Sequence, residues 1–465
     1  MTLVCLLLVL ASLCFLMYRW SGKDPISPPF LFSLGFAACA LFTLLFSERW
    51  QYSMSGTVFL VVGGSVLVFC LVSYGMSLPG RHEETRAGQK EADWLLPNHR
   101  GALVAFVLLE AAVLVWSVYQ ISVSFPASSI AGSIGRFNSV VKFTDAGANV
   151  YGFPLKQLVS ASGVLGYVFG LLLAQALVFK KADPLLCLIG LMLAASIEVV
   201  NASRTMAVGF FFSTAIAYLL LRRIRDGRFP EIRMRTVACI AILLAVFLAT
   251  FPLVAQVVQG RVTSSDHTTY MSAYIGAQIP NLDTFIQSGM HEAKRSIWGY
   301  MTFRNSIRWV GMHFGIPEFV YQYDLPFNQI NGYATGNVYT TFYAFIYDFG
   351  YLGCFVLTVL MAAISWLVYR QARKADGGPF HSMWIIIYSI VAYALLLSFF
   401  SNKFYEGFFC IPMLNRLLYL FAIYCVFLFF GGGKTELMRL CTKAAHGAPS
   451  GSAPQREGGA RSSEP

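Results

Sequence analysis

Residues 184–223, PLLCLIGLMLAASIEVVNASRTMAVGFFFSTAIAYLLLRR, contain two apolar runs, 184–200 and 205–221, joined by Asn201-Ala202-Ser203-Arg204-Thr205. Each run falls in the range of about 17 to 25 residues that a helix needs to cross bilayer hydrocarbon, and exceeds the roughly 9 to 11 of a barrel strand. In hydrocarbon every backbone N–H and C=O needs an internal partner, which a helix supplies and an open strand does not. The stretch reads as a tight pair of spanning helices with a guanidinium at its apex.

Similar runs recur near residues 2–18, 29–46, 55–78, 101–124, 157–179, 236–256, 341–368, 381–400 and 412–430, so that about 11 spans are expected in all. Composition agrees: 57% of residues are hydrophobic and 12% charged, whereas a soluble domain is about 25% charged. Mean hydropathy is +0.61. The first run lacks a basic leader and a small-residue cleavage site, and it ends in the interface anchors Tyr18, Arg19 and Trp20. It is expected to stay as a helix. The ten cysteines fall singly, with no CxxC or Cys/His ligand spacing, which indicates neither a disulfide framework nor a zinc site. The expected fold class is an all-α polytopic membrane protein, with a single transmembrane domain over 1–430. A cytoplasmic tail follows over 431–465, disordered and rich in Gly, Ser and Pro from His446 onward.

A net charge of +11 is a topology signal here. Loops carrying Arg19 and Lys23, Arg81 to Arg100, Lys180 and Lys181, Arg222 to Arg235, and Arg370 to Lys374, together with the tail, hold 22 of the 34 Lys and Arg residues. Five of the remaining twelve, Arg261, Lys294, Arg295, Arg304 and Arg308, lie in one long loop that the positive-inside rule hardly governs. The expected orientation is N-terminus out and C-terminus in. The basic excess points to anionic membrane lipid and not to nucleic acid.

Two outer segments, about 125–156 and 257–340, exceed the length of simple turns, and loops of that size usually carry function. Within the second, Asn281 to Gly315 is amphipathic, with Trp298, Tyr300, Phe303 and Trp309 suited to an interfacial or re-entrant position.

Arg204 at the hairpin apex has two readings: an anchor paired with Glu198, or a planar fork for phosphate or pyrophosphate. Arg304 and Arg308 stand one helical turn apart, and Ile297 and Met301 are expected on the same face, so that an apolar stripe runs into paired guanidiniums. A lipid phosphate suits that pattern; the alternative is nonspecific headgroup contact. Arg261 joins them as a candidate contact. His267, His291 and His313 share the loop with Asp266, Asp283, Glu292, Glu318 and Asp324, in no metal spacing. Each is an ordinary surface group or a general base.

Asn337-Val338-Tyr339-Thr340 precedes Tyr347-Asp348-Phe349-Gly350-Tyr351-Leu352-Gly353 in the ninth span. Asp348 with Asn337, Tyr339, Tyr343 and Tyr347 offers the hydrogen-bonding and stacking groups that sugars use. The packing alternative has Gly350 and Gly353 permitting close helix approach while Asp348 caps a neighbouring backbone. Glu110 reads as a buried polar contact. Asn402, with Lys403, Glu406 and Arg416 nearby, completes an outer pocket.

The Ser-Arg-Thr hairpin, the long late outer loop, Asn-Val-Tyr-Thr and Asp-Phe-Gly-x-x-Gly together resemble the oligosaccharide repeat-unit polymerases of the O-antigen and capsule (Wzy) type, over residues 100–430. The matched positions are Arg204, Asn337, Tyr339, Thr340, Asp348, Gly350 and Gly353. The resemblance implies an integral-membrane glycosyltransferase of GT-C-like architecture in the bacterial plasma membrane. Its donor would be a glycan on undecaprenyl pyrophosphate, attacked at the anomeric carbon by a hydroxyl of a fresh lipid-linked unit, with no nucleotide sugar and no cofactor. A flippase and a chain-length regulator are expected neighbours. Arg204, Arg304 and Arg308 would stabilise the leaving pyrophosphate, and Asp348 would serve as base; Arg304 and Arg308 enter on their local pattern, without a matched motif. The rival readings are an O-antigen ligase, which shares the donor and transfers to lipid A core, and a flippase or transporter.

Overall fold

Asp183 and Pro184 set the start of the quoted hairpin. The Asp183 carboxylate accepts from Leu185 N–H and Leu186 N–H, and Pro184 occupies the first turn, where a missing N–H costs nothing. At the apex Ala202 adopts a left-handed φ of 65°, and the second helix begins at Arg204.

The computed structural model describes residues 1–78, 95–143, 150–180, 182–230, 274–289, 297–320, 325–374 and 380–430, with side chains omitted at 141–143. The expected eighth span, 236–256, lies outside the described residues, as do Arg261, Asp266, His267, His291, Glu292, Lys294, Arg295, Asp324 and the tail.

Helices α1 (Thr2–Trp20), α2 (Pro28–Trp50), α3 (Gly56–Ser77), α4 (Arg100–Ser124), α5 (Ile130–Phe143), α6 (Phe153–Phe179), α7 (Pro184–Val200) and α8 (Arg204–Asp226) come first. After them come α9 (Gln278–Gln287), α10 (Arg304–Phe314), α11 (Thr341–Arg373), α12 (His381–Leu396) and α13 (Ile411–Phe430). Among the described residues nine helices are long and apolar enough to cross a membrane, and α7 is a shorter apolar helix. The protein is a multi-pass, α-helical membrane protein.

α6 is the centre of the bundle: 83% of its apolar window is buried, against 28% to 56% for the other eight spans, which keep a face for lipid. Small residues permit this. A Cβ at Gly166 would fall 2.6 Å from the Phe210 ring of α8, so that ring lies against the α6 backbone only because the atom is missing.

The outer segments hold helices, as expected of the amphipathic stretch in the second, and the first contains one as well. α5 lies in the first. In the second, α9 is buried along nearly its whole length. Its Asp283 carboxylate accepts from Tyr52 Oη (2.7 Å), Ser55 N–H (2.9 Å), Ser55 Oγ (2.5 Å) and Gln287 Nε2 (2.8 Å), clamping the turn between α2 and α3. Asn281 donates to the Val338 carbonyl (2.8 Å) and accepts from Asn328 Nδ2 (3.1 Å). A small antiparallel ribbon, β1 (Asn328–Ile330) and β2 (Tyr333–Gly336), is added to the otherwise helical body. Its turn is Asn331-Gly332 with φ of 49° and 83°, the left-handed pair of a tight hairpin.

At the opposite end of the body, the α1–α2 turn buries Asp24 completely. It accepts from Ile26 N–H (3.0 Å) and from Tyr369 Oη, with Arg373 and Arg223 as the nearby cations. Arg223 donates to the Arg373 carbonyl (3.5 Å), so this end gathers the C-termini of α8 and α11.

Candidate functional site

The site grows from residue 302. Thr302 N–H donates to one oxygen of Asp348 (2.6 Å), Met301 N–H to the other (3.2 Å), and the Thr302 carbonyl accepts from Asn402 Nδ2 (2.9 Å). Asn402 Oδ1 in turn accepts from Thr341 Oγ1 (3.4 Å) and Tyr405 N–H (3.4 Å). Asp348 is 7% exposed. The geometry gives it the contacts of the packing alternative, since both oxygens accept from backbone amides. Asn402 has the same character and braces the site without opening to it.

The glycines behind Asp348 have different jobs from the close helix approach expected of both. Gly350 interrupts α11 with φ 67° and ψ −166°, a conformation essentially confined to glycine, and a Cβ there would meet nothing. At Gly353 a Cβ would collide with Phe349 of the same helix. The break thus sets the direction in which the Asp348 turn leaves the span.

Tyr339, Tyr343 and Tyr347 form a buried ladder, with ring centroids 4.4 and 5.9 Å apart and Phe285 of α9 at 4.4 Å from Tyr343. Tyr339 Oη donates to the Pro326 carbonyl (3.0 Å). These rings are buried and pack within the core. Asn337 is half-buried at the exit of the ribbon, on the same flank.

The braced turn launches α10, whose first residue is Arg304. Ile297 and Met301 therefore belong to the turns before the helix: Met301 is buried in the core, and the expected apolar stripe through them is absent. Instead Ile307 faces the core, while Met312 and Phe314 are exposed. Arg304 and Arg308 are half-buried. His313 is exposed, its ring stacked on Trp309 at 3.9 Å.

Against α10 lies a π-helical turn, Phe404–Phe408, in the short connection before α13. Such turns recur at functional positions. Asn305 Nδ2 donates to the Glu406 carbonyl (2.7 Å), and Ile411 N–H donates to Ser306 Oγ (3.0 Å), so the turn and α10 are fastened together. Arg304 and Lys403 both act electrostatically on Glu406, and burial raises the Glu406 carboxyl above its ordinary range while the two cations pull it back. Among the described residues no ion pair within 4.0 Å and no side-chain hydrogen bond occupies Arg304, Lys403 or Glu406. Three uncommitted charges on two braced elements are the chemically open part of this end.

Arg204 is more enclosed than an interfacial apex would be, at 9% exposed. Tyr393 Oη of α12 donates to the Thr205 carbonyl next to it (2.6 Å). The cation acting on Glu198 is Arg416 of α13, whose Nη1 lies 4.0 Å from Met206 Sδ. α13 thus carries a guanidinium past the start of α8 and also packs against α10. Arg416 entered the sequence reading only as a neighbour of Asn402; the available signal was an ionisable residue inside a span, which is seldom idle. Glu110 accepts from Ser162 Oγ (2.6 Å) in the bundle interior, as a buried polar contact does. No family model, no curated protein and no solved structure matches the chain.

Proposed function

We propose that the protein polymerises undecaprenyl-pyrophosphate-linked oligosaccharide units at the outer face of the bacterial plasma membrane, as an integral-membrane glycosyltransferase. The observation that carries this reading is the open cluster Arg304, Lys403 and Glu406 at one end of a membrane body, rigidly braced by Asp348 and Asn402. Transfer from a pyrophosphate lipid develops negative charge on the leaving group. Preorganised cations near the membrane surface stabilise that charge without reorganising as the bond breaks. Arg304 and Arg308 supply forks of the right shape, Lys403 a point charge, and Arg204 with Arg416 a second basic position beside α8.

About 11 spans, a GT-C-like arrangement, and an outside N-terminus with a cytoplasmic C-terminus complete the proposal. The count is supported by Arg223 and Gly276 lying at opposite ends, the first beside the end of α11 and the second bonded to Thr43 in the later half of α2. The orientation is supported by Arg222, Arg223, Arg225, Arg370 and Arg373 gathering at the end away from the cluster.

The test uses the purified full chain with single lipid-linked repeat units extracted from cells that lack it, and follows products on a gel and by mass. A ladder of lengthened glycans is expected. Movement of unchanged lipid-linked units across a vesicle would replace this reading with a transporter, and turnover only when lipid A core is supplied would replace it with a ligase.

A further inference from the structure

We propose that Glu406 is the general base of the transfer, accepting the proton of the acceptor hydroxyl. The assignment deepens the glycosyltransferase reading and rests on it.

The argument is one of availability. Of the described carboxylates on this side of the body, Asp348 is occupied by two backbone amides and Asp283 by four donors. Glu198 lies in α7 beside Arg416, and Glu48 and Glu318 are exposed. Glu406 is half-buried, and none of the described residues hydrogen-bonds to its carboxylate. Its backbone is nonetheless held on both sides, the N–H by the Asn402 carbonyl (3.1 Å) and the carbonyl by Asn305 Nδ2 (2.7 Å). A fixed backbone with a free functional group is what proton transfer in a defined geometry needs.

The groups facing it complete the case. Lys403 comes from its own turn, Arg304 from α10, and the Cys410 thiol from the residue before α13. Burial raises the Glu406 carboxyl, which strengthens it as a base, and the two cations oppose that shift. In the step itself the acceptor O–H bond breaks and its proton passes to the Glu406 carboxylate. The freed oxygen pair forms the new bond to the anomeric carbon. The bond from that carbon to the pyrophosphate oxygen breaks, and its electron pair leaves with the lipid pyrophosphate, beside the guanidinium of Arg304. The proton returns to water when product departs.

The experiment measures elongation against pH for the wild type, Glu406→Gln and Glu406→Asp, with the extracted lipid-linked units as probe and thermal unfolding in parallel. Glu406→Gln is expected to lower kcat by about 10²–10⁴, the usual contribution of a positioned base, with KM nearly unchanged and the acid limb of the pH profile gone. Glu406→Asp should recover part of the rate. A folded Glu406→Gln protein with wild-type kcat and an intact acid limb overturns the assignment. Should the Gln variant fail to fold, the wild-type profile decides: a rate that does not fall toward acid pH overturns it equally. A wild type that leaves the units unlengthened refutes the polymerase reading itself, a result distinguishable from normal elongation by the Gln variant.

Discussion

Replacing Asp348 by Asn or Ala separates a cap from a base. Hydrogen bonds to a charged acceptor contribute about 1.5–3 kcal/mol each, and Asp348 receives two from the backbone, at Met301 and Thr302. Ala removes both and leaves two amides without an acceptor, so a loss of about 3–6 kcal/mol is expected. Asn keeps one acceptor oxygen and turns an NH2 toward the other amide, for a loss of about 2–3 kcal/mol. Because Thr302 also holds Asn402, the turn before α10 should loosen in both variants, and Arg304 with it. The assay pairs the thermal unfolding midpoint in detergent with elongation of lipid-linked units below that midpoint. Asp348→Asn is expected to elongate within about tenfold of the wild type at reduced stability, whereas loss of a general base costs about 10²–10⁴ in rate. An Asn variant of wild-type stability whose elongation drops by that larger factor would refute the capping argument and restore Asp348 as the base.

Arg204→Ala should lower turnover by about two to three powers of ten if the guanidinium stabilises the leaving pyrophosphate, with Lys recovering a part. Since Arg204 is 9% exposed, a fall in unfolding midpoint is expected as well, and unchanged turnover in a folded variant would remove it from the mechanism. Gly350→Ala meets no steric neighbour but must adopt φ 67°, ψ −166°, a strain of about 1–3 kcal/mol, to be read as a lower unfolding midpoint. Asp24 has its carboxyl raised by burial from 3.8 to about 6, against the pull of Arg373 and Arg223. A raised acid binds its proton more tightly when folded, so its contribution to stability is present below the ordinary carboxylate range and is lost as pH rises to about 6, by roughly 2–3 kcal/mol. The wild-type midpoint minus that of Asp24→Asn should therefore shrink as pH rises through this window.

The spans at 2–18, 55–78 and 101–124 were legible because each is a local property: a run of apolar side chains long enough to satisfy its own backbone in hydrocarbon. The hairpin with Arg204 at its apex was legible for the same reason, since two such runs with four residues between them have one compact arrangement. The burial of α9 was not, because an amphipathic stretch looks alike whether it lies on the interface or is enclosed by α2, α3 and α11; what encloses it includes the partners of Asp283 and Asn281 at Tyr52, Ser55 and Val338, more than fifty residues distant. The carboxylates follow the same logic. Composition and spacing singled out Asp348 as the candidate base and placed Glu406 only as a neighbour of Asn402. Only the tertiary structure delivers the amides of Met301 and Thr302 to Asp348 and leaves the Glu406 carboxylate, near Arg304 and Lys403, without a hydrogen bond from the described residues, the difference on which the proposal for Glu406 rests. A sequence states which groups a chain carries, and long-range contacts decide which of their hydrogen-bonding positions are already filled.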